Sequence, residues 1–344
     1  MIVLSIIIPT RNRATLLQLA LQSLQTQTLS TDYFEVLVID NGSTDNTKQI
    51  VAAYQQKLGN VRYFFDPTPG LHVGRHLGMK MAKSDILVYA DDDIEAFPTW
   101  LEGIAESFQD QEVALVGGKN LPKFESDPPD WILKMWNKDK NGNRIIGYLS
   151  ILDLGDSKKA ITPYHVFGCN FSIRKSTLLA AHGFHPDAMP QELIQYRGDG
   201  ETHVSRSIEK EALKTFYNPR ASIYHAVTGD RMTLAYFYKR AYNEGISCSF
   251  NEFRHKHNAQ LLKAVPKGYL YTNKVITWIG RTRIGKILSM IKKRMQMNLS
   301  GDRDLAQINW QLDQAWLKGW AYHRKAMKIN PELRSYVLKE HYID

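Results

Sequence analysis

Cysteine is scarce. The 344-residue chain has two, Cys169 and Cys248, too few for a disulfide framework and without the CxxC spacing of a zinc site. Two buried, ordinary thiols in a reducing compartment are expected. Long apolar runs are missing as well: no stretch reaches the ~18 consecutive apolar residues of a membrane span. The apolar start, MIVLSIIIPTRNR, has no basic residue ahead of it and no small-residue cleavage site after it, so no signal peptide is expected. Nor is there an excess of acid, since 44 Lys and Arg stand against 35 Asp and Glu, a net +9. What is present, 43% hydrophobic and 23% charged residues, is the composition of a folded globular chain rather than a disordered one. The length suits two domains, or one larger α/β domain with an appendage, and a cytoplasmic location is the expectation.

Leu4 to Ile8 is an apolar, β-branched run stopped by Pro9, and Glu35 to Ile39 is another stopped by Asp40-Asn41-Gly42; both read as buried strands. Between them, Leu16, Leu17, Ala20, Leu21 and Leu24 recur at helical spacing, and Ser43-Thr44-Asp45 offers caps for a second helix ending near Gly59. Strands at Val61 to Phe65 and Ile86 to Ala90 bracket a helix predicted over 74–83. The resulting βαβαβαβ order marks a parallel sheet with helices on both faces. A helix over 99–109 and a strand over 113–116 extend it. From Lys119 to about Tyr164 the chain is rich in Pro, Asp, Asn, Gly and Lys, which predicts a long loop. Order returns with a strand over 166–173 and a helix from Lys175, and the last ninety residues read as largely helical.

In open α/β sheets, ligands bind beyond the carboxyl ends of the strands. Pro9, Thr10 and Arg11 follow the first strand, Asp40 the second, and Asp91-Asp92-Asp93 the fourth. One such acid is commonly a turn former or a cap; three sites on one sheet edge point to a cleft. On extended backbone, Asp91 and Asp93 face the same way. Adjacent carboxylates repel unless a cation or hydrogen-bond donors offset them, and Mg²⁺ or Mn²⁺ suits such oxygen ligands while keeping positions open for a diphosphate. A solvated acidic turn is the competing reading.

The segments PTRNR, VIDNGSTD, GLHVGRHLGMKMAKSDILVYADDD, FGCNFSIRKSTLLAAHGF and GDGETHVSRSI, in this order, resemble the successive motifs of family 2 glycosyltransferases of the GT-A fold. The resemblance covers roughly residues 3 to 245. It implies an α/β, Rossmann-like, mostly parallel sheet in a catalytic domain over 1–245, with a nucleotide-sugar half at 1–118 and an acceptor half at 119–245 that holds the long loop 119–164. The mainly helical extension over 246–344 falls outside it. The resemblance further implies that Pro9, Thr10 and Arg11 line the nucleotide pocket, that Asp40 accepts a hydrogen bond from the base, typically uracil, and that Arg75 lies near the phosphates. Here His76 stands where the family has Asn. Asp91 and Asp92 would meet ribose and metal, with Asp93 the main ligand, and His225 would complete the metal site. Where the family commonly has Glu-Asp, this chain has Gly200-Glu201, so Glu201 takes the catalytic-base position with Asp199 as the fallback. A carboxylate there suits an inverting transfer; both acids also suit a helix N-terminus. Trp131 and Trp136 are either sugar-stacking faces or packing residues, with 122–160 a cover over the site.

The charge excess has one address: from Glu252 to Met297 the chain holds eleven Lys and Arg and one acid. Ile284, Ile287, Leu288, Ile291 and Met295 form a helical stripe there, so 276–297 is either a peripheral contact with an anionic membrane or a packed helix with a solvated basic face. No nucleic-acid motif accompanies the charge. Trp310, Trp316, Trp320, Tyr322 and Tyr336 make the last helices aromatic, as packing or homo-oligomer contacts would require. The function expected is single sugar addition from a UDP-sugar to a glycan, lipid-linked or small-molecule acceptor. The alternatives are a sugar-phosphate nucleotidyltransferase, which the missing Gly-rich loop after the first strand disfavours, and a non-catalytic glycan- or nucleotide-binding protein. A dinucleotide oxidoreductase is disfavoured because Gly70, Gly74 and Gly78 do not spell GxGxxG.

Overall fold

The computed structural model describes residues 2–262 and 303–343. The segment 276–297, and with it most of the basic stretch, lies outside the described residues. The chain divides into two units, one of Met1–Pro190, Gly200–Gly229 and Glu340–Asp344, the other of Gln191–Asp199 and Asp230–Lys339.

The first unit opens with β1 (Leu4–Thr10), α1 (Ala14–Leu24), β2 (Phe34–Asp40), α2 (Thr47–Leu58), β3 (Val61–Phe65), α3 (Leu71–Met81) and β4 (Ile86–Ala90). It continues through β5 (Ile94–Ala96), α4 (Trp100–Ser107), β6 (Val113–Gly117), β7 (Asn120–Phe124), α5 (Asp130–Met135), β8 (Arg144–Ile146), β9 (Ile151–Asp153) and β10 (Lys159–Ala160). It ends with β11 (Asn170–Arg174), α6 (Lys175–Ala180), α7 (Glu201–Lys210), β12 (Lys214–Tyr217) and β13 (Ile223–Val227). Eight strands form one sheet in the order β10-β12-β6-β11-β4-β1-β2-β3. Neighbours from β4 to β3 run parallel, whereas β11 is antiparallel to both β4 and β6.

Both faces of this sheet are covered, which is why its strands read as unbroken apolar runs. Ile6, Ile8, Val36, Val38 and Val88 pack with Leu17 and Leu21 of α1, Val51 of α2 and Trp100 of α4. The alternate residues, Ile7, Leu37, Ile39, Leu87 and Tyr89, pack with Met79 of α3, Leu178 of α6 and Val204 and Ile208 of α7. Helix α3 sits close on β1 because Gly78 lacks a side chain: a Cβ there would fall 2.3 Å from Ile7 Cγ2.

The stretch expected as a long loop, 119–164, supplies strands instead. β7, β9 and β8 join β5 and β13 in a second sheet of order β5-β13-β7-β9-β8. β7, β8 and β9 have three to five residues and mixed polarity, too short for a period-2 pattern to register. The expected strand over 166–173 forms only from Asn170.

The second unit is helical among its described residues, with α8 (Leu234–Leu262), α9 (Arg303–Ile329) and α10 (Pro331–Val337). α8 and α9 meet backbone to backbone: a Cβ on Gly245 would lie 2.0 Å from the Trp316 carbonyl oxygen, and one on Gly319 would lie 1.9 Å from that of Tyr242. His323 Nδ1 to Ser249 Oγ (2.8 Å) and Trp320 Nε1 to Glu252 Oε2 (3.1 Å) tie the pair further. No described helix is long and apolar enough to cross a membrane.

Candidate functional site

The site is built where β1, β2 and β4 end. Thr10 and Asp40 are register partners on adjacent strands. Asp40 is buried, with Oδ1 accepting from the Ser43 N–H and Oδ2 from the Tyr63 hydroxyl, both at 2.7 Å. Burial and the Asp40 carboxylate drive the Tyr63 phenol upward, so it stays a donor. A carboxylate oxygen accepts more than one hydrogen bond, which leaves Asp40 able to take a ligand N–H. Asn12, in the left-handed region at φ 53°, joins the loops after β1 and β2: its side-chain oxygen accepts from Thr44 N–H (2.7 Å) and its own N–H donates to Ser43 Oγ (2.9 Å).

The three aspartates have different surroundings. Asp92 and Asp93 are buried and share one guanidinium, with Arg13 Nη1 2.5 Å from Asp92 Oδ1 and Nη2 2.7 Å from Asp93 Oδ2. Thr10 donates to the other Asp92 oxygen at 2.7 Å. Burial drives the Asp92 carboxyl up, Arg13 pulls it back, and Asp93 repels its charge; the outcome is about 7. Asp91 keeps 32% of its side chain exposed and lies 3.6 Å from Arg75 Nη2.

Arg75 is the hub on the other side. It is buried over the Phe184 ring, and its Nη1 lies 3.5 Å from Glu201 Oε2, so one cation spans the end of β4 and the first residue of α7. Gly168 makes room for it, since a Cβ there would fall 2.4 Å from Nη2. The Gly168 N–H donates to Glu201 Oε1 at 3.4 Å.

His225, opposite Ile94 in the β13–β5 register, points its Nε2 at Asp93 Oδ1, 3.2 Å away. Its Nδ1 lies 2.9 Å from the Leu149 carbonyl oxygen. The imidazole is thus held between two oxygens, the Leu149 carbonyl at Nδ1 and the Asp93 carboxylate at Nε2. Asp91, Cys169 and His225 each present one donor atom within 4.8 Å of one another. Four carboxylates (Asp91, Asp92, Asp93, Glu201) thus face two guanidinium groups (Arg13, Arg75), a formal −2 with every carboxyl ionised. The carboxylate and imidazole donors with that charge fit one divalent cation, while the Cys169 sulfur already contacts Asn120 Nδ2 and the Ser150 carbonyl oxygen.

The family model "Glycosyl transferase family 2" matches residues 5–179. The chain belongs to that family. It is 37% identical over 103 residues to validoxylamine A glucosyltransferase of Streptomyces hygroscopicus subsp. jinggangensis, a match over 29% of this chain and 24% of that relative. The chain therefore spans about a quarter of that relative's length. Two solved structures share the fold, each with a TM-score of 0.51 and 16% identity. Mannosyltransferase PcManGT from Pyrobaculum calidifontis, in complex with GDP-Man and Mn²⁺, aligns over 96% of this chain and 77% of its own. S. aureus TarS 1-349, in complex with UDP-GlcNAc, aligns over 94% and 92%.

Within this family member, the structure brings together Thr10, Arg75, Asp91, Asp92, Asp93, His225 and Glu201. Pro9 and Asp40 end the neighbouring strands, and Arg11 is exposed beside them. Asp199 belongs to the second unit. Trp131 and Trp136 are half-buried, in and just after α5. His76 proves to be a structural anchor: its Nε2 accepts from the Phe184 N–H at 2.8 Å, and its Nδ1 donates to the Tyr342 carbonyl at 2.7 Å. Sequence reasoning missed Arg13 and Tyr63. Arg13 stands in the same PTRNR segment as Arg11, and the left-handed Asn12 between them decides which one turns inward. Tyr63 sits on β3 two residues from its Asp40-paired neighbour Phe65.

Proposed function

We propose that the first unit transfers a sugar from a nucleoside-diphosphate sugar, read as a UDP-sugar, to an acceptor hydroxyl with inversion. The observation that carries this reading is Arg75, which links Asp91 at the end of β4 to Glu201 at the start of α7 and so couples a donor-side acid to a candidate base. In this account Asp40 accepts the base N–H at its buried edge, and Thr10 and Arg13 hold Asp92 and Asp93 in fixed rotamers. Arg75 faces the diphosphate and orients Glu201. Glu201 removes the acceptor proton as the acceptor oxygen bonds to the anomeric carbon. The bond from that carbon to the diphosphate oxygen breaks, and the electron pair leaves with the nucleoside diphosphate. Asp91, Asp93 and His225 would hold Mn²⁺ or Mg²⁺, which when bound neutralises charge on the leaving diphosphate.

The test is a panel of UDP- and GDP-sugars assayed for nucleoside-diphosphate release with Mn²⁺ or Mg²⁺. Release from at least one donor, abolished by EDTA, is the expected result. Absence of release from every donor, together with absence of metal-dependent UDP binding in calorimetry, would overturn the reading.

A further inference from the structure

The second unit carries a cleft that the transfer chemistry does not use. It has a volume of about 770 Å³ and is lined by residues of α8 and α9, with Gln191 beside them, within the ~300–1,000 Å³ range of small-molecule sites. Its walls follow from helical spacing. Tyr238 and Tyr242 stand four apart on α8, as do Lys239 and Asn243; on α9, Trp310, Gln314 and Lys318 form one stripe four apart, flanked by Gln311. The glycine contacts at Gly245 and Gly319 lock the two helices at their crossing, next to Tyr242 and Lys318, so these walls are preorganised.

The lining has a specific chemistry. Trp310, 49% exposed, offers a flat apolar face to water, and Tyr242 and Tyr238 add two more rings. Between them stand carboxamides, which present a donor and an acceptor side by side and so match neighbouring hydroxyls. The Tyr238 hydroxyl donates to Gln311 Oε1, which leaves the Gln311 amide hydrogens for a ligand. Lys239 and Lys318 supply positive charge, and no carboxylate is among the lining residues. Aromatic faces suit the C–H faces of a pyranose ring, amides suit its hydroxyls, and two lysines suit an acidic substituent. A lipid surface would call for aliphatic side chains, of which the lining holds only Ala315. A nucleic-acid strand would call for a longer basic track.

We propose that this cleft binds an anionic oligosaccharide, with Trp310 as the stacking platform and Lys239 and Lys318 as the charge-reading residues. Binding here is independent of whether the strand-end acids turn over a donor, so failure of one claim leaves the other standing. The test uses the full chain in calorimetry with hexasaccharides of hyaluronan, polygalacturonate and colominic acid, and with neutral maltohexaose and single-stranded poly-thymidine as comparisons. At least one acidic hexasaccharide is expected to bind, more tightly than maltohexaose and more tightly than poly-thymidine. Trp310→Ala, at a half-exposed position, is expected to raise its Kd about ten-fold, and Lys239→Gln with Lys318→Gln several-fold for the acidic sugar only, all with UDP binding unchanged. Line broadening of the Trp310 indole N–H on addition of the sugar is a second readout that needs no substitution. No binding by any acidic hexasaccharide, unchanged affinity in Trp310→Ala, or tighter binding of poly-thymidine would overturn the proposal.

Discussion

Two halves of one carboxylate cluster differ in how their charge is met. The inner half, Asp92 and Asp93, is buried on Arg13 at 2.5 and 2.7 Å. The outer half, Asp91 and Glu201, is partly exposed and shares Arg75 at 3.5–3.6 Å. Short, dry contacts hold a geometry; longer contacts at a wet edge leave the carboxylates free to meet a ligand or a proton. Asp92 is thus fixed between Thr10 and Arg13, Asp93 is shared between Arg13 and His225, and Asp91 stays at the exposed edge beside Arg75.

The largest expected effect is on the outer half. Arg75→Met leaves Asp91 and Glu201 to repel each other and loses the group that orients the base. Transfer should fall about 100-fold or more, measured as initial rate at saturating donor; an unchanged rate would separate the outer acids from the reaction. Next comes the inner half: Arg13→Ala leaves two buried carboxylates without their cation. Because Arg13 is itself 39% exposed, the cost should be about 2–3 kcal/mol, below the usual range for breaking a buried pair, read from urea unfolding. Equal stability would mean that the inner acids need no clamp.

The α/β order and the strand-end acids were legible because buried parallel strands leave unbroken apolar runs and because ligands gather at their carboxyl ends. Arg13 was not, since Arg11 and Arg13 are equivalent in the sequence until Asn12 takes a left-handed φ of 53°. The β7–β9 strands were hidden by their shortness. The Gly245–Gly319 crossing was hidden because two single glycines, 74 positions apart in the numbering, carry no local pattern. His76 was visible only as a departure from the family's Asn; its partners, Phe184 and Tyr342, are distant in the chain.

His76 also sets a pH dependence away from both halves. Burial, then the neighbouring His72, holds its imidazole down to about 3, against ~6.5 in the unfolded chain. Between those values the unfolded state binds a proton that the folded state refuses, so stability falls as pH drops through that window and is unaffected above it. From pH 7 to pH 5 the loss from this one residue is about 2 kcal/mol. His76→Gln, which can donate and accept at the same two partners, should reduce the loss on acidification by that amount in paired urea titrations. The same loss in both proteins would contradict the neutral, anchored histidine. The smallest effect is expected at Arg11: because this residue is exposed beside the strand ends while Arg13 and Arg75 meet the carboxylates, Arg11→Ala should change UDP affinity by less than about 1 kcal/mol, and a larger loss would move the nucleotide contact outward from Arg13.

The most direct test of the account is Glu201→Gln, assayed in parallel for transfer and for UDP affinity in the presence of Mn²⁺. The account predicts transfer reduced by about 10²–10⁴-fold with UDP affinity close to that of the parent. Retained transfer would contradict the base role of Glu201, and UDP affinity lost together with transfer would place Glu201 in donor binding instead.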